Sequence, residues 1–172
     1  MTLGVFLAVL GAAFLHALWN ALIKLGTSKV GGMVILSIVE VPIGLAVVLF
    51  TPAIDPAAVP WVLAAGCTHF AYKFFLTYAY DRGDLSRVYP IARGAAPMVV
   101  ALVGAVFLAD AVTGREYLAI AVLAAGILLM ARGVFTSGED RKLLPFALGS
   151  ALATATYTLI DGMGARVSGS PA

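Results

Sequence analysis

Apolar residues in this chain come in long unbroken runs, not in the one-in-two alternation of a strand or the narrow stripe of a surface helix. A helix needs about 20 apolar residues to cross about 30 Å of hydrocarbon, so the informative segments are long stretches poor in charge. Six are present. Met1 to Ile23 has no Lys, Arg, Asp or Glu, Val30 to Ile54 has only Glu40, Ala57 to Tyr80 only Lys73, and Val88 to Ala109 only Arg93. Tyr117 to Ala131 is shorter and spans if Arg115, Glu116 and Arg132 snorkel to the interfaces. Leu143 to Ile160 follows the most charged segment, Glu139-Asp140-Arg141-Lys142, with Gly133 and Gly138 as punctuation before it. Barrel strands would alternate polar and apolar over about ten residues, and these runs do not. The expected fold is all-α, a polytopic membrane helical bundle.

The joints are short, at Gly26 to Gly32, Thr51 to Pro56, Asp81 to Arg87 and Asp110 to Glu116, leaving no room for a soluble domain between spans. The first run has no basic segment before it and is long for a secretory leader. At an offset of 138 residues the first and sixth runs align Leu10-Gly11 with Leu148-Gly149, Ala13 with Ala151, Ala17 with Ala155, Trp19 with Tyr157 and Gly26 with Gly164. A five-span unit over 1–135 that restarts over 143–172 must insert its second copy upside down, because five is odd. Inverted repeats mark transporters. On that reading the chain is the first portion of a protein of about ten spans, with the last four helices of the second repeat beyond Ala172.

Composition agrees with a bilayer solvent. Of 172 residues, 62% are apolar and 12% charged, against about 25% charged in soluble proteins, and the mean hydropathy is +1.01. Eleven basic against nine acidic residues leave a net charge of +2, too little for a nucleic-acid partner. The single cysteine, Cys67, excludes an internal disulfide framework and a cysteine zinc site. The joints after spans one, three and five carry Lys24, Lys29, Arg82, Arg87, Arg132, Arg141 and Lys142, against Arg115 and Arg166 on the other side. Seven against two favours an outside N-terminus, except that Lys24 and Arg87 sit at helix ends, and if they serve the transport path they say less about insertion.

Charges inside a span cost at least about 2.5 kcal/mol and ask for a partner or a wet cavity, which singles out Glu40, Lys73, Arg93 and Asp161. On the third span His69, Tyr72, Lys73 and Tyr80 form one polar and aromatic stripe expected to face the bundle interior. Lys73 has three readings: a transport path, an interhelical pair with Glu40, or snorkelling. In the fourth span Pro90 and Pro97 free the carbonyls of Ser86 and Arg93 and predict a break that lines a cavity. Arg93 beside it either holds an anion with its planar fork or ties loose carbonyls in place; Tyr89 lies one turn earlier. His16, Trp19 and Asn20 share a side of the first span, and Thr154, Tyr157 and Thr158 are their counterparts on the sixth. Both patches line a site between repeats, or serve as interhelical hydrogen bonds and interface anchors. Small residues at Ala13, Ala17 and Ala21, and at Ala147, Ala151 and Ala155, let helices approach closely. No metal spacing, Ser-His-Asp set or phosphate loop is evident, so no cofactor, metal or catalytic role is expected.

The stretch Gly83-Asp84-Leu85-Ser86-Arg87-Val88-Tyr89-Pro90-Ile91-Ala92-Arg93-Gly94-Ala95-Ala96-Pro97, followed by a span ending Phe107-Leu108-Ala109-Asp110, resembles the EamA-type branch of the drug/metabolite transporter superfamily. His16-Ala17-Leu18-Trp19-Asn20 and Tyr157-Thr158-Leu159-Ile160-Asp161-Gly162 are similar to that family too. The resemblance implies a ten-helix inner-membrane transporter of two inverted five-helix halves, moving small metabolites such as amino acids or their derivatives. It implies a cytoplasmic N-terminus, opposite to the charge count, and Lys73 has no place in its pattern. The expectation is a permease whose cavity is lined by the first, third and fourth spans, with Lys73, Arg93 and Glu40 shaping a positive site. The alternatives are an accessory or lipid-flipping subunit acting as a half-size dimer, or an integral membrane enzyme. The partners expected are a small metabolite, the lipid bilayer, and either the missing C-terminal repeat or a second copy.

Overall fold

The computed structural model describes residues 2–107, 113–136, 138 and 140–168, with the side chains of 104–107 excepted. Among the described residues the chain is all-helical: α1 (Leu3–Leu25), α2 (Lys29–Phe50), a short 3₁₀ turn (Pro56–Ala58), α3 (Val59–Arg82), α4 (Leu85–Phe107), α5 (Gly114–Thr136) and α6 (Leu143–Val167). The expected close of the fourth run at Ala109 and Asp110, residue Glu139, and the chain from 169 onwards lie outside the described residues.

Each apolar run is one helix, and polar residues set its ends. Thr2 and Ser28 accept the backbone N–H groups of Val5 and Gly31 and start α1 and α2. Asp55 accepts from Ala57 at 2.8 Å and opens the turn that leads into α3. The α5 helix starts earlier and runs on longer than the apolar count foretold. Thr113 and Glu116 form a reciprocal cap, with Thr113 N–H donating to Glu116 Oε2 at 2.7 Å and Glu116 N–H donating to Thr113 Oγ1 at 3.4 Å. The resulting 23-residue helix is long enough to span, with Arg115, Glu116 and Arg132 within it and exposed.

Four helices among the described residues, α1, α2, α5 and α6, are long and apolar enough to cross a membrane. Their large apolar side chains point outwards: Phe50 is 89% and Val48 70% exposed, and Leu25, Ile35, Leu128 and Leu129 are exposed as well. A water-soluble protein does not leave so much continuous apolar surface open. The arrangement is consistent with a multi-pass membrane protein.

The buried centre is made by α3, α4 and α6, with α6 lying against both α3 and α4 and α5 on the outer side of α4. Ala147, Ala151 and Ala155 are each 1% exposed or less, so the small-residue row of α6 is the surface that lets its neighbours close in. A side chain at Gly149 would place its Cβ 2.8 Å from the Phe75 ring, and one at Gly164 would stand 2.9 Å from Trp61 Cβ. These two contacts pair the start of α6 with the end of α3 and the reverse, so the helices run antiparallel. Between them the Ser150 hydroxyl donates to the Tyr72 carbonyl at 3.3 Å. The matching row on α1 behaves differently: Ala13 and Ala17 are exposed and Ala21 is half-buried. The same spacing is therefore filled on one helix and open on the other.

The α4 helix is continuous from Leu85 through Pro90 and Pro97, so the break expected from its two prolines does not occur. Proline removes one donor and leaves one carbonyl without its helical partner, and within a packed bundle a helix absorbs this without unwinding. Packing is close on this helix: Val88, Ile91 and Ala92 are almost fully buried.

Candidate functional site

Basic side chains near the end shared by the first and third helices are tied to backbone. Lys24 Nζ donates to the carbonyls of Tyr80 at 3.0 Å and Gly83 at 2.6 Å, satisfying acceptors that the end of α3 leaves without helical donors. Arg82 lies 4.5 Å from the centre of the Phe146 ring and donates to the Tyr78 carbonyl at 2.9 Å, which fastens α3 to α6. Arg87 reaches the Gly133 carbonyl of α5 at 3.5 Å. Several of the cations counted for orientation thus hold helix ends together.

Next to this end, Asn20 of α1 is 2% exposed and accepts a hydrogen bond of 2.6 Å from the buried Tyr80 hydroxyl, while its own amide donates to the His16 carbonyl at 2.7 Å. Both Asn20 and Tyr80 are satisfied, so each serves as an interhelical bond. Tyr80→Phe leaves the Asn20 oxygen bare and is expected to lower stability by about 1–2 kcal/mol, read as a lower melting temperature in detergent. An unchanged melting temperature would mean that the bond contributes nothing.

Further along α1, Trp19 Nε1 donates to His16 Nδ1 at 3.2 Å, and the two rings meet edge to face at 5.1 Å. His16 in turn faces Tyr89 of α4 at 6.5 Å. An open cleft of about 510 Å³ lies between α1 and α4, lined by Ala17, Asn20, Leu85, Ser86, Tyr89 and Pro90.

One turn beyond Tyr89 on the same helix stands Arg93. Its Nη1 donates to the Tyr157 hydroxyl of α6 at 3.3 Å, and its Cζ lies 5.1 Å from the centre of the Tyr72 ring of α3. Tyr157 stacks on His69 of α3 at 3.9 Å and meets Tyr72 at 5.3 Å. Three helices therefore deliver one arginine, one histidine and two tyrosines to a single cluster, which α1 extends through His16 where it faces Tyr89 of α4. The His69 ring is fixed by Nδ1, 3.0 Å from the Ala65 carbonyl.

Lys73 goes elsewhere. Its ammonium pairs with Glu40 of α2 and donates to Ser37 at 3.3 Å, although Lys73 follows Tyr72 directly in sequence. The expected stripe on α3 is thus divided: His69 and Tyr72 face α4 and α6, Tyr80 faces α1, and Lys73 faces α2. Arg93 is not joined by Lys73 and Glu40 in one positive site, because successive residues of a helix point about 100° apart. Asp161 is exposed near the end of α6. Among the described residues no group of His, Cys, Asp and Glu is placed to hold a metal ion.

No family model, no curated protein and no solved structure matches the chain. The reading of the site therefore rests on its geometry.

The Lys73–Glu40 pair makes a direct prediction. Lys73→Met strands Glu40 at the middle of α2 and is expected to cost about 1–2 kcal/mol, the scale of interhelical polar bonds in membranes. Adding Glu40→Gln should recover most of the loss. A double variant no better than Lys73→Met in thermal melts would show that the two groups are not coupled.

Proposed function

We propose that the protein is a multi-pass permease of the cell inner membrane that moves small organic metabolites, such as amino acids or related compounds, by alternating access between two inverted repeats. The observation that carries this reading is the convergence of His16, His69, Tyr72, Tyr89, Arg93 and Tyr157 from four helices in a chain whose helices expose many large apolar side chains. Ionisable groups gathered inside a membrane bundle are costly, and such groups mark substrate and ion pathways. The likeness of Gly83 to Pro97, of His16 to Asn20 and of Tyr157 to Gly162 to EamA-type transporters supports the same function. The paired patches of the first and sixth helices support a site between repeats.

The reading is tested by loading vesicles with the complete protein and offering labelled amino acids and related organic solutes. Saturable flux of at least one of them above empty vesicles is expected, and none across the panel would contradict the proposal.

A second reading, a half-size subunit acting as a dimer, is favoured by one observation. Glu40 lies at the middle of α2 and its side chain is 51% exposed on the outer face. A second copy against α2 would cover it. Cross-linking through a cysteine at position 38 or 41 in vesicles distinguishes the two readings, since a monomeric permease gives no specific dimer.

A further inference from the structure

Among the described residues, the buried side-chain polar atoms without a hydrogen-bond partner are Arg93 Nε, Arg93 Nη2 and Thr154 Oγ1. Two belong to one guanidinium on α4, and the third lies on α6, the helix that the same guanidinium meets. Arg93 meets α6 through Tyr157, and Thr154 is one turn before Tyr157 on the same side of that helix. Buried polar groups are nearly always paired, so three orphans in one place require an explanation.

The geometry of the guanidinium narrows the answer. Nη1 is engaged by the Tyr157 hydroxyl, which leaves Nε and Nη2, the pair that forms the side edge of the group. Two parallel N–H bonds along one edge match the two oxygens of a carboxylate. Among the described residues no carboxylate pairs with Arg93: the ion pairs join Lys73 to Glu40 and Arg82 to Asp140. Nor, among the described residues, does a second cation stand beside Arg93 to balance a dianion, because Lys73 is committed to Glu40. The other neighbours are flat rings, Tyr72 at the guanidinium and the stacked Tyr157 and His69.

We infer that the Nε–Nη2 edge of Arg93, with the Thr154 hydroxyl as a further donor, docks the carboxylate of a small organic substrate whose apolar or planar body lies against His69, Tyr72 and Tyr157. This rests on the permease reading and specifies the ligand of the same site. Both edge atoms are buried in the present conformation, so the anchor is shielded here, and the carboxylate enters when the rings that cover it move. A phosphate ester is disfavoured because its second charge has no counterpart.

The experiment titrates the complete protein in lipid nanodiscs with 3-phenylpropionate, phenethylamine and phenyl phosphate, following heat and tryptophan fluorescence. Saturable binding of 3-phenylpropionate alone is expected. Arg93→Lys, which keeps the charge but loses the fork, should weaken it at least tenfold, and Thr154→Val several-fold. If Arg93→Lys does not fold, Thr154→Val and the ligand series carry the test. Equal binding of phenyl phosphate, or carboxylate binding indifferent to both substitutions, overturns the inference, as does the absence of carboxylate binding, which would leave Arg93 satisfied by trapped water. The two readings fail separately. Arg93-dependent carboxylate binding without flux removes the permease and keeps the carboxylate site; flux of a solute unaltered in Arg93→Lys does the reverse.

Discussion

Gly149→Leu is expected to lower stability by about 3 kcal/mol or more, the upper range for forcing bulk into a packed contact. Three atoms of the Phe75 ring stand at 2.8–3.0 Å from where a Cβ would sit, and a rigid ring moves aside less readily than the free end of a long side chain. The helices would have to separate, which opens the contact between α3 and α6 at the level of the Ser150–Tyr72 bond. Because α6 also packs on α4, the loss spreads to the Arg93–Tyr157 contact. Thermal melts in detergent check this. Gly126 of α5 is the matched control, with open space where a Cβ would be; Gly126→Ala should be neutral or stabilising by up to about 1 kcal/mol through helix propensity. Equal losses at both positions would show that glycine at 149 is not required by packing.

Arg93→Gln is expected to abolish substrate flux in vesicles while leaving the melting temperature within a few degrees of the parent. Arg93 has only neutral tyrosine partners to lose, Tyr157 and Tyr72, and no carboxylate to strand among the described residues. Removing its charge relieves the cost of holding an unpaired cation in a low-dielectric site, so folding should survive. Transport should not survive, because the one cation at the aromatic cluster is gone. Flux equal to the parent would remove Arg93 from the path. A collapse of stability that tracks the loss of flux would instead give Arg93 a purely structural role.

The two variants separate what could be read in the chain from what could not. The six apolar runs are six helices because length and charge-poverty are local properties, and a helix in lipid must satisfy its own backbone. The ends of α5 escaped because Arg115 and Glu116 interrupt the apolar count, whereas the chain uses Glu116 with Thr113 as a cap. A Thr three residues before a Glu was the available signal. The prolines of α4 were read by their local effect and overruled by packing.

At the site, the residue types were legible and their grouping was not. A charge within an apolar run identifies Lys73, Arg93 and Glu40, but which helix stands opposite depends on tertiary order. Nothing in the run lengths places α6 between α3 and α4 and not simply beside its sequence neighbour α5. Lys73 and Tyr72, adjacent in sequence, consequently serve different contacts, and Thr154 gained its meaning only from Arg93. The alanine rows make the same point, since spacing marks a surface fit for close approach but does not say whether a neighbour comes.

Cys67 offers the most direct test of the account's central claim, that these helices are embedded in lipid. It is the single cysteine of the chain, lies eight residues inside α3 and is exposed on the protein surface, about 12 Å along a helix that rises 1.5 Å per residue. A thiol must ionise to react with a maleimide, and it does not do so in hydrocarbon. In vesicles, a charged, membrane-impermeant maleimide applied to both faces is therefore expected to leave Cys67 unmodified, with rapid reaction once the bilayer is dissolved and the chain denatured. Reaction in intact vesicles at the rate seen in denaturant would place α3 in water and contradict the account.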